Sequence, residues 1–333
     1  NRADRLREEG QGRRGNNVGF ALTVLQRRLA SSPEAIYMSL QRRRERLEKE
    51  LANLRQRGVL DPALDVDDHD LPSLDDEDDY YDFYERPEDE VTRQEEEVLD
   101  RATAARTLEE LEAEISSLHA LEQQARHVRG LGTDTKWREL SSVLQQDLVA
   151  MRTEDGTRRK IIIFTEHRDT LRYLARQIGV LLGDHDAVIQ IHGGLNREAR
   201  RAAQHAFIND KTKSVLLATD AAGEGVNLQR AHLMVNYDLP WNPNRIEQRF
   251  GRVHRIGQTE VCHLWNLVAM GTREGDVYHR LLVKLEQMSA AMGGKVFDVI
   301  GQAFEGTSLR DLLIRAIRYG EDPEIRKNLF ERV

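Results

Sequence analysis

The feature that most constrains this chain is a series of short, continuous apolar runs that begins after Lys160. Ile161-Ile162-Ile163-Phe164 is bounded by polar residues and followed by an amphipathic stretch from Thr170 to Leu182. Ala187 to Ile191, Val215 to Ala218, His232 to Val235 and Val261 to Leu267 repeat the scheme, mostly with helical patterns between them. Short runs without polar alternation describe strands covered on both faces, and strands separated by helices pair in parallel. The expected fold class is therefore α/β: a doubly wound parallel sheet sandwiched by helices, over roughly 130 residues.

Ligands of such a sheet bind at the C-terminal ends of its strands. The loops there are Thr165-Glu166-His167, His192-Gly193-Gly194, Thr219-Asp220-Ala221-Ala222-Gly223-Glu224-Gly225-Val226-Asn227, and Asn236-Tyr237-Asp238 leading to Trp241-Asn242-Pro243. Each is small, polar or glycine-rich. Glycine lets a backbone approach a phosphate, and amides at helix N-termini hold the anion. Gly-Gly and Gly-x-Gly also end strands for purely conformational reasons, so no single loop decides the ligand.

The segment Gln248-Arg249-Phe250-Gly251-Arg252-Val253-His254-Arg255-Ile256-Gly257-Gln258 is the most informative. On a helix begun at Asn242-Pro243, residues 248, 252 and 255 fall at i, i+4 and i+7, so one amide and two guanidinium groups share a face. A guanidinium stays charged and presents a planar fork, which suits stabilisation of a phosphoryl group in transfer. On spacing alone the same pattern also describes a basic solvated face.

Taken in order, Ile161 to His167, Ile191-His192-Gly193, the Ala218 to Leu228 segment ATDAAGEGVNL and the Gln248 to Gln258 segment QRFGRVHRIGQ resemble the motifs of the second RecA-like lobe of superfamily-two helicases. Asp238-Leu239-Pro240-Trp241-Asn242-Pro243 followed by RVHRIGQ resembles the Swi/Snf-type subgroup, bacterial RapA-like members most of all. The resemblance covers about residues 134–290, and more loosely the helical arm 18–57. It implies that Arg252 and Arg255 are arginine fingers for the ATP γ-phosphate and that Gln248 orients nucleotide or water. It also implies that Gly223, Gly225 and Asn227 lie near the nucleotide, and that Thr165, His167, His192, Gly193 and Thr219 face a nucleic-acid backbone. The implied cofactors are ATP and Mg2+, held mainly by a first RecA-like lobe. The implied partners are double-stranded DNA, that first lobe, and RNA polymerase or another DNA-bound protein.

A phosphate loop, Gly-x-x-x-x-Gly-Lys-Ser/Thr, and an acidic pair for magnesium do not occur in this sequence. Met292-Gly293-Gly294-Lys295-Val296 lacks the first glycine and the hydroxyl, and Asp67-Asp68-His69-Asp70 follows no apolar run. Together with the absence of an initiating Met, this leads to the expectation of a fragment with negligible ATPase activity of its own. The competing reading is a regulatory or protein-docking module that uses the lobe as scaffold.

Charge refines the partner. The formal net charge of −8 argues against a nucleic-acid ligand until it is resolved by segment. Residues 61–100 hold 19 Asp and Glu against two Arg, a balance of −17, and the remaining residues together carry +9. Residues 1–60 hold 14 Lys and Arg against seven acids, including Arg42-Arg43-Arg44. The expected organisation is a basic helical arm (1–60), an acidic, disordered-looking insertion (61–100), a helical subdomain (101–133), the RecA-like lobe (134–290) and C-terminal helices (291–333). The acidic strip reads either as a solvated connector or as a pseudo-substrate over a basic groove, and its Tyr80, Tyr81, Phe83 and Tyr84 exceed what a solvating tail needs. Helical spacing is expected for residues 18–57, restarted at Ser31-Ser32-Pro33 with arginines on the face opposite the apolar stripe, then for Val91 to Leu121 and Trp137 to Met151, and again through 273–333. No signal region or membrane span is evident, and the single Cys262 suits a reducing compartment, so the expected location is cytoplasmic, on the nucleoid in a bacterium.

Overall fold

A computed structural model describes residues 12–57, 83, 86, 88–103, 105, 107–149, 156, 159–220, 231, 233–240, 245, 249, 263–270, 272, 275, 278 and 279. The expected C-terminal helices at 291–333, Asp67 to Asp70, Tyr80, Tyr81, Tyr84, Cys262 and the Met292 segment lie outside the described residues. The chain divides into two compact units, residues 1–133 and 134–333.

The first unit is helical: α1 (Gly12–Ser31), α2 (Pro33–Arg57), α3 (Glu88–Arg101) and α4 (Leu108–Gly130). Pro33 opens α2 where its missing N–H is harmless, and the Ser32 hydroxyl accepts from the Ala35 amide at 3.1 Å. Ile36, Leu40, Leu47, Leu51 and Leu54 of α2 form one apolar stripe packed with Leu111 and Leu118 of α4. Helical spacing from Val91 to Leu121 is interrupted at 102–107, where Thr107 caps α4 by accepting from the Glu110 amide at 3.2 Å. Within the acidic strip, Phe83 is buried edge-on against Phe20, centroids 5.7 Å apart, and Glu95 is buried on α3.

Arginines of α1 and α2 are partnered within the unit. Arg27 meets Glu95 at 2.8 Å with both side chains 6% exposed. Arg28 donates to Ser39 Oγ at 2.8 Å. Arg43 donates to the carbonyls of Leu99 and Ala102 and to Glu114, and Arg44 donates to Glu122 at 2.5 Å and Glu48 at 2.7 Å. The physical reason is that α3 and α4 bring acids and open carbonyls against these positions, and a buried guanidinium persists only where it is paired. Arg27, Arg43 and Arg44 are therefore neutralised inside the helical unit.

The second unit holds the sheet. α5 (Thr135–Val143) continues as a π-helical turn, Leu144–Val149, and leads to β1 (Ile161–Phe164), α6 (Arg168–Leu182), β2 (Val188–Ile191), α7 (Arg197–Asn209), β3 (Val215–Ala218), β4 (Leu233–Asn236) and β5 (His263–Asn266). All pairings are parallel and the strand order is β2-β3-β1-β4-β5. That order accounts for the composition of each run. The continuous apolar strands β1, β3 and β4 are interior and buried throughout, whereas the mixed sequences VIQI and HLWN are the edges.

Side-chain alternation divides the core between two helical layers. Ile161, Ile163, Val215, Leu217, Leu233 and Val235 pack with Leu140, Leu171, Leu174 and Ile178 of α5 and α6. Ile162, Phe164, Leu216, Ala218 and Met234 pack with Phe207 of α7. Helix α6 ends at Gly183 in the left-handed region, φ 64°, which a side chain disfavours. No helix among the described residues is long and apolar enough to cross a membrane.

Candidate functional site

The backbone ladder runs one residue past each interior strand: Thr165 N donates to Ala218 O at 3.0 Å, Thr219 N to Ile191 O at 3.0 Å and Tyr237 N to Phe164 O at 2.8 Å. The polar residues that follow the strands are thus held at one edge of the sheet. Two carboxylates, one buried and one partly buried, organise that edge.

The first is Asp238, after β4. One carboxylate oxygen accepts from Lys136 Nζ at 2.7 Å, and the other from Thr165 Oγ1 at 2.5 Å and the Glu166 amide at 3.3 Å. Burial alone would raise this carboxyl. The Lys136 ammonium and His167 imidazole, with hydrogen bonds from Lys136 and Thr165, outweigh burial and hold it at about 2. Lys136 also lies 4.3 Å from the centroid of the Tyr237 ring, a cation–π contact. Asp134, the N-cap of α5, accepts from the Trp137 amide at 3.1 Å, and its second oxygen accepts from Tyr173 Oη at 2.9 Å and Tyr237 Oη at 3.4 Å.

The second carboxylate is Asp220, after β3. It accepts from Arg249 Nε at 2.6 Å and from Arg245 Nη1 at 3.1 Å; both arginines are helical and stand at i and i+4. Burial would raise the Asp220 carboxyl, and Arg249 and Arg245 reverse that and hold it below the usual range. Arg249 is only 2% exposed, and Nη1 donates to Asn236 Oδ1 at 3.2 Å and to the Asp238 carbonyl at 2.8 Å. Asn236 Nδ2 in turn donates to Asn266 Oδ1 at 2.8 Å. Burial would lower the Arg249 pKa, and the Asp220 charge outweighs this and raises it.

Of the residues named from sequence, Thr165 and Thr219 are fully buried. The Thr165 hydroxyl bonds Asp238, while the Thr219 hydroxyl has no partner among the described residues. His167 is the N-cap residue of α6 and faces Asp238 electrostatically. His192 and Gly193 are partly exposed in the loop after β2. His192 Nδ1 accepts from the Gly194 amide at 3.1 Å, which assigns any neutral-ring proton to Nε2. Burial, then Arg168, Arg172 and Arg200, keep the His192 pKa below its ordinary value. The Arg168 guanidinium reaches the same loop, since a Cβ on Gly194 would stand 3.2 Å from its Nη1. Gln248, Arg252, Arg255, Gly223, Gly225 and Asn227 lie outside the described residues.

Sequence reasoning quoted Asp220, Asp238 and Arg249 within motifs but gave them no role, and it passed over Lys136, Arg245 and the Arg168–Arg172–Arg200 cluster. A usable signal was present: an Asp follows each of two interior strands after one intervening residue, and Arg245 and Arg249 share a helical face.

Asp238 makes stability pH-dependent. Its folded pKa of about 2 lies below the unfolded value, so its contribution is complete above about pH 4 and is lost as pH falls toward 2. The shift corresponds to about 2 kcal/mol. Urea unfolding between pH 5 and 2 checks this: Asp238→Asn is expected to flatten the acid limb by about that amount. An unchanged acid limb in the variant would show that Asp238 is not its source.

The description "helicase conserved C-terminal domain" matches residues 139–257. An "uncharacterized ATP-dependent helicase YqhH" of Bacillus subtilis is 39% identical over 40% of this chain and 23% of its own length. A "transcriptional regulator ATRX homolog" of Drosophila melanogaster is 37% identical over 28% of this chain and 8% of its own. A "SWI/SNF-related matrix-associated actin-dependent regulator of chromatin subfamily A-like protein 1" of Xenopus tropicalis is 32% identical over 41% of this chain and 14% of its own. The chain thus matches less than a quarter of the length of these relatives. The five-stranded parallel sheet with a helical layer on each face is the doubly wound arrangement expected from the apolar runs. Residues 139–257 match the helicase conserved C-terminal domain, and through that region the chain is homologous to Swi/Snf-type ATP-dependent helicases.

Proposed function

We propose that this chain is the second lobe of a DNA-dependent ATPase and translocase that remodels protein–DNA complexes. The observation that supports it most is the Arg249 clamp: it ties the segment QRFGRVHRIGQ to Asp220 of ATDAAGEGVNL and to Asp238 of DLPWNP at the ligand-binding edge of the sheet. In this reading Arg252 and Arg255 reach the γ-phosphate, Gln248 orients nucleotide or water, and Gly223, Gly225 and Asn227 lie against the nucleotide. A phosphate loop and magnesium ligands come from a separate first lobe, because this sequence has neither. Asp220 and Asp238 do not stand in for those ligands, since both carboxylates are occupied by cations of this chain. ATP supplies the free energy of lobe closure, and the residues of this chain supply charge for the transferring phosphoryl group.

Nucleic acid is engaged through its backbone. His192, Gly193 and Thr219 sit at or beneath the loops that would face it, and Thr165 and His167 act from below through Asp238. Arg168, Arg172 and Arg200 add positive charge around His192. Arg172→Ala and Arg200→Ala are each expected to weaken duplex binding and to reduce the slope of log K against log salt by about 0.9, with little dependence on sequence. Fluorescence anisotropy across a salt series measures this; a slope unchanged in both variants would remove these arginines from the interface. The function as a whole is tested by DNA-stimulated ATP hydrolysis in a two-lobed protein carrying Arg252→Ala or Arg255→Ala. Loss of turnover is expected, and unchanged turnover would favour a docking scaffold for RNA polymerase or another DNA-bound partner.

A further inference from the structure

We propose that Lys136 is a positioning residue for the arginine-bearing segment that begins at Arg245, acting from the first turn of α5 through Asp238. The proposal rests on the ATPase reading only for its catalytic consequence; the positioning itself is a property of this chain. Asp238 joins three parts of the edge. Its side chain holds Thr165 and the Glu166 amide after β1 and receives Lys136 from α5, while its carbonyl accepts from Arg249.

Lys136 decides which way that carboxylate faces. Its Nζ bonds one oxygen at 2.7 Å with the pair only 12% and 8% exposed, which leaves the other oxygen for Thr165. The Tyr237 ring beneath the ammonium, and Asp134 bonded to Tyr173 and Tyr237, fix α5 against the same corner. Without the ammonium, the buried carboxylate loses its nearest cation and turns toward water or toward the Arg249 guanidinium. Either movement displaces the Asp238 carbonyl and loosens the Arg249 clamp. Lys136 reaches the Arg249 clamp through Asp238, so its effect on turnover is that of a positioning residue.

The test is amide hydrogen exchange, read by mass spectrometry, in Lys136→Met and Lys136→Arg. Lys136→Met is expected to speed exchange across 245–258 about fivefold or more while β1 and β3 stay within about twofold of the parent; Lys136→Arg, which keeps the charge, is expected to stay within about twofold throughout. Should Lys136→Met unfold, Lys136→Met with Asp238→Asn, which leaves no unpaired buried charge, is read in its place. Unchanged exchange across 245–258, or equal acceleration across the sheet, overturns the proposal. In the two-lobed ATPase, Lys136→Met is expected to lower kcat about tenfold with KM for ATP within about twofold. If exchange responds as expected while Arg252→Ala leaves turnover intact, the ATPase reading fails and the positioning role stands. If Arg252→Ala abolishes turnover while Lys136→Met leaves kcat unchanged, the catalytic part of the proposal is overturned.

Discussion

Arg249→Met is expected to destabilise the sheet-bearing unit by about 3–5 kcal/mol, the range for removing one partner of a buried ion pair. The guanidinium is 2% exposed and serves Asp220, Asn236 Oδ1 and the Asp238 carbonyl at once, with its carbon 5.3 Å from the centroid of the Phe164 ring. Methionine fills much of the volume but leaves the Asp220 carboxylate with Arg245 among the described residues and takes a donor from Asn236 Oδ1 and the Asp238 carbonyl. Lysine, a single point of charge, cannot span these acceptors, so Arg249→Lys recovers only part of the loss. Asp220→Asn with Arg249→Met is expected to cost less than the two single changes together, because the second removes a charge that the first has stranded. Urea unfolding of the four proteins measures this. A loss below about 1 kcal/mol for Arg249→Met would place the clamp among surface pairs.

The architecture was legible because its signal is local. Continuous apolar runs without alternation mark interior parallel strands, and β1 and β3 fall where Ile161 to Phe164 and Val215 to Ala218 stand. The β4 run shifts by one residue for a physical reason. Asn236 is polar, so an apolar criterion stops at Val235, yet it is buried and bonded through its side chain to Asn266 and Arg249. Helical spacing likewise located α1 and α2 but not the partners of their arginines. Arg27 finds Glu95 and Arg44 finds Glu122 across separations of 68 and 78 residues, which no local period reports.

The same limit shaped the reading of the site. The polar loops at the strand ends were evident, but QRFGRVHRIGQ contains three arginines, and spacing does not tell which one turns inward. Arg249 does, because Asp220 and the Asp238 carbonyl await it after β3 and β4. Thr165, expected at a nucleic-acid surface, is internal because Asp238 claims its hydroxyl. An Asp placed after a buried strand is thus better read as the organiser of neighbouring loops than as spare polarity.

Arg252 and Arg255 carry the largest expected effect on activity. A guanidinium that meets a phosphoryl group in transfer contributes about 10³–10⁵ in turnover. An inward-facing Arg249 anchors the start of that segment. The 333 residues alone, without a phosphate loop, are expected to hydrolyse ATP negligibly. Joined to a lobe that carries the phosphate loop, they are expected to support DNA-stimulated turnover that either substitution removes while DNA binding remains. The decisive measurement is therefore steady-state ATP hydrolysis with saturating duplex DNA, for the two-lobed parent and its Arg252→Ala and Arg255→Ala variants. A fall of about 10³ or more in kcat for each, at unchanged DNA affinity, is the predicted result, and turnover equal to the parent in both would contradict it.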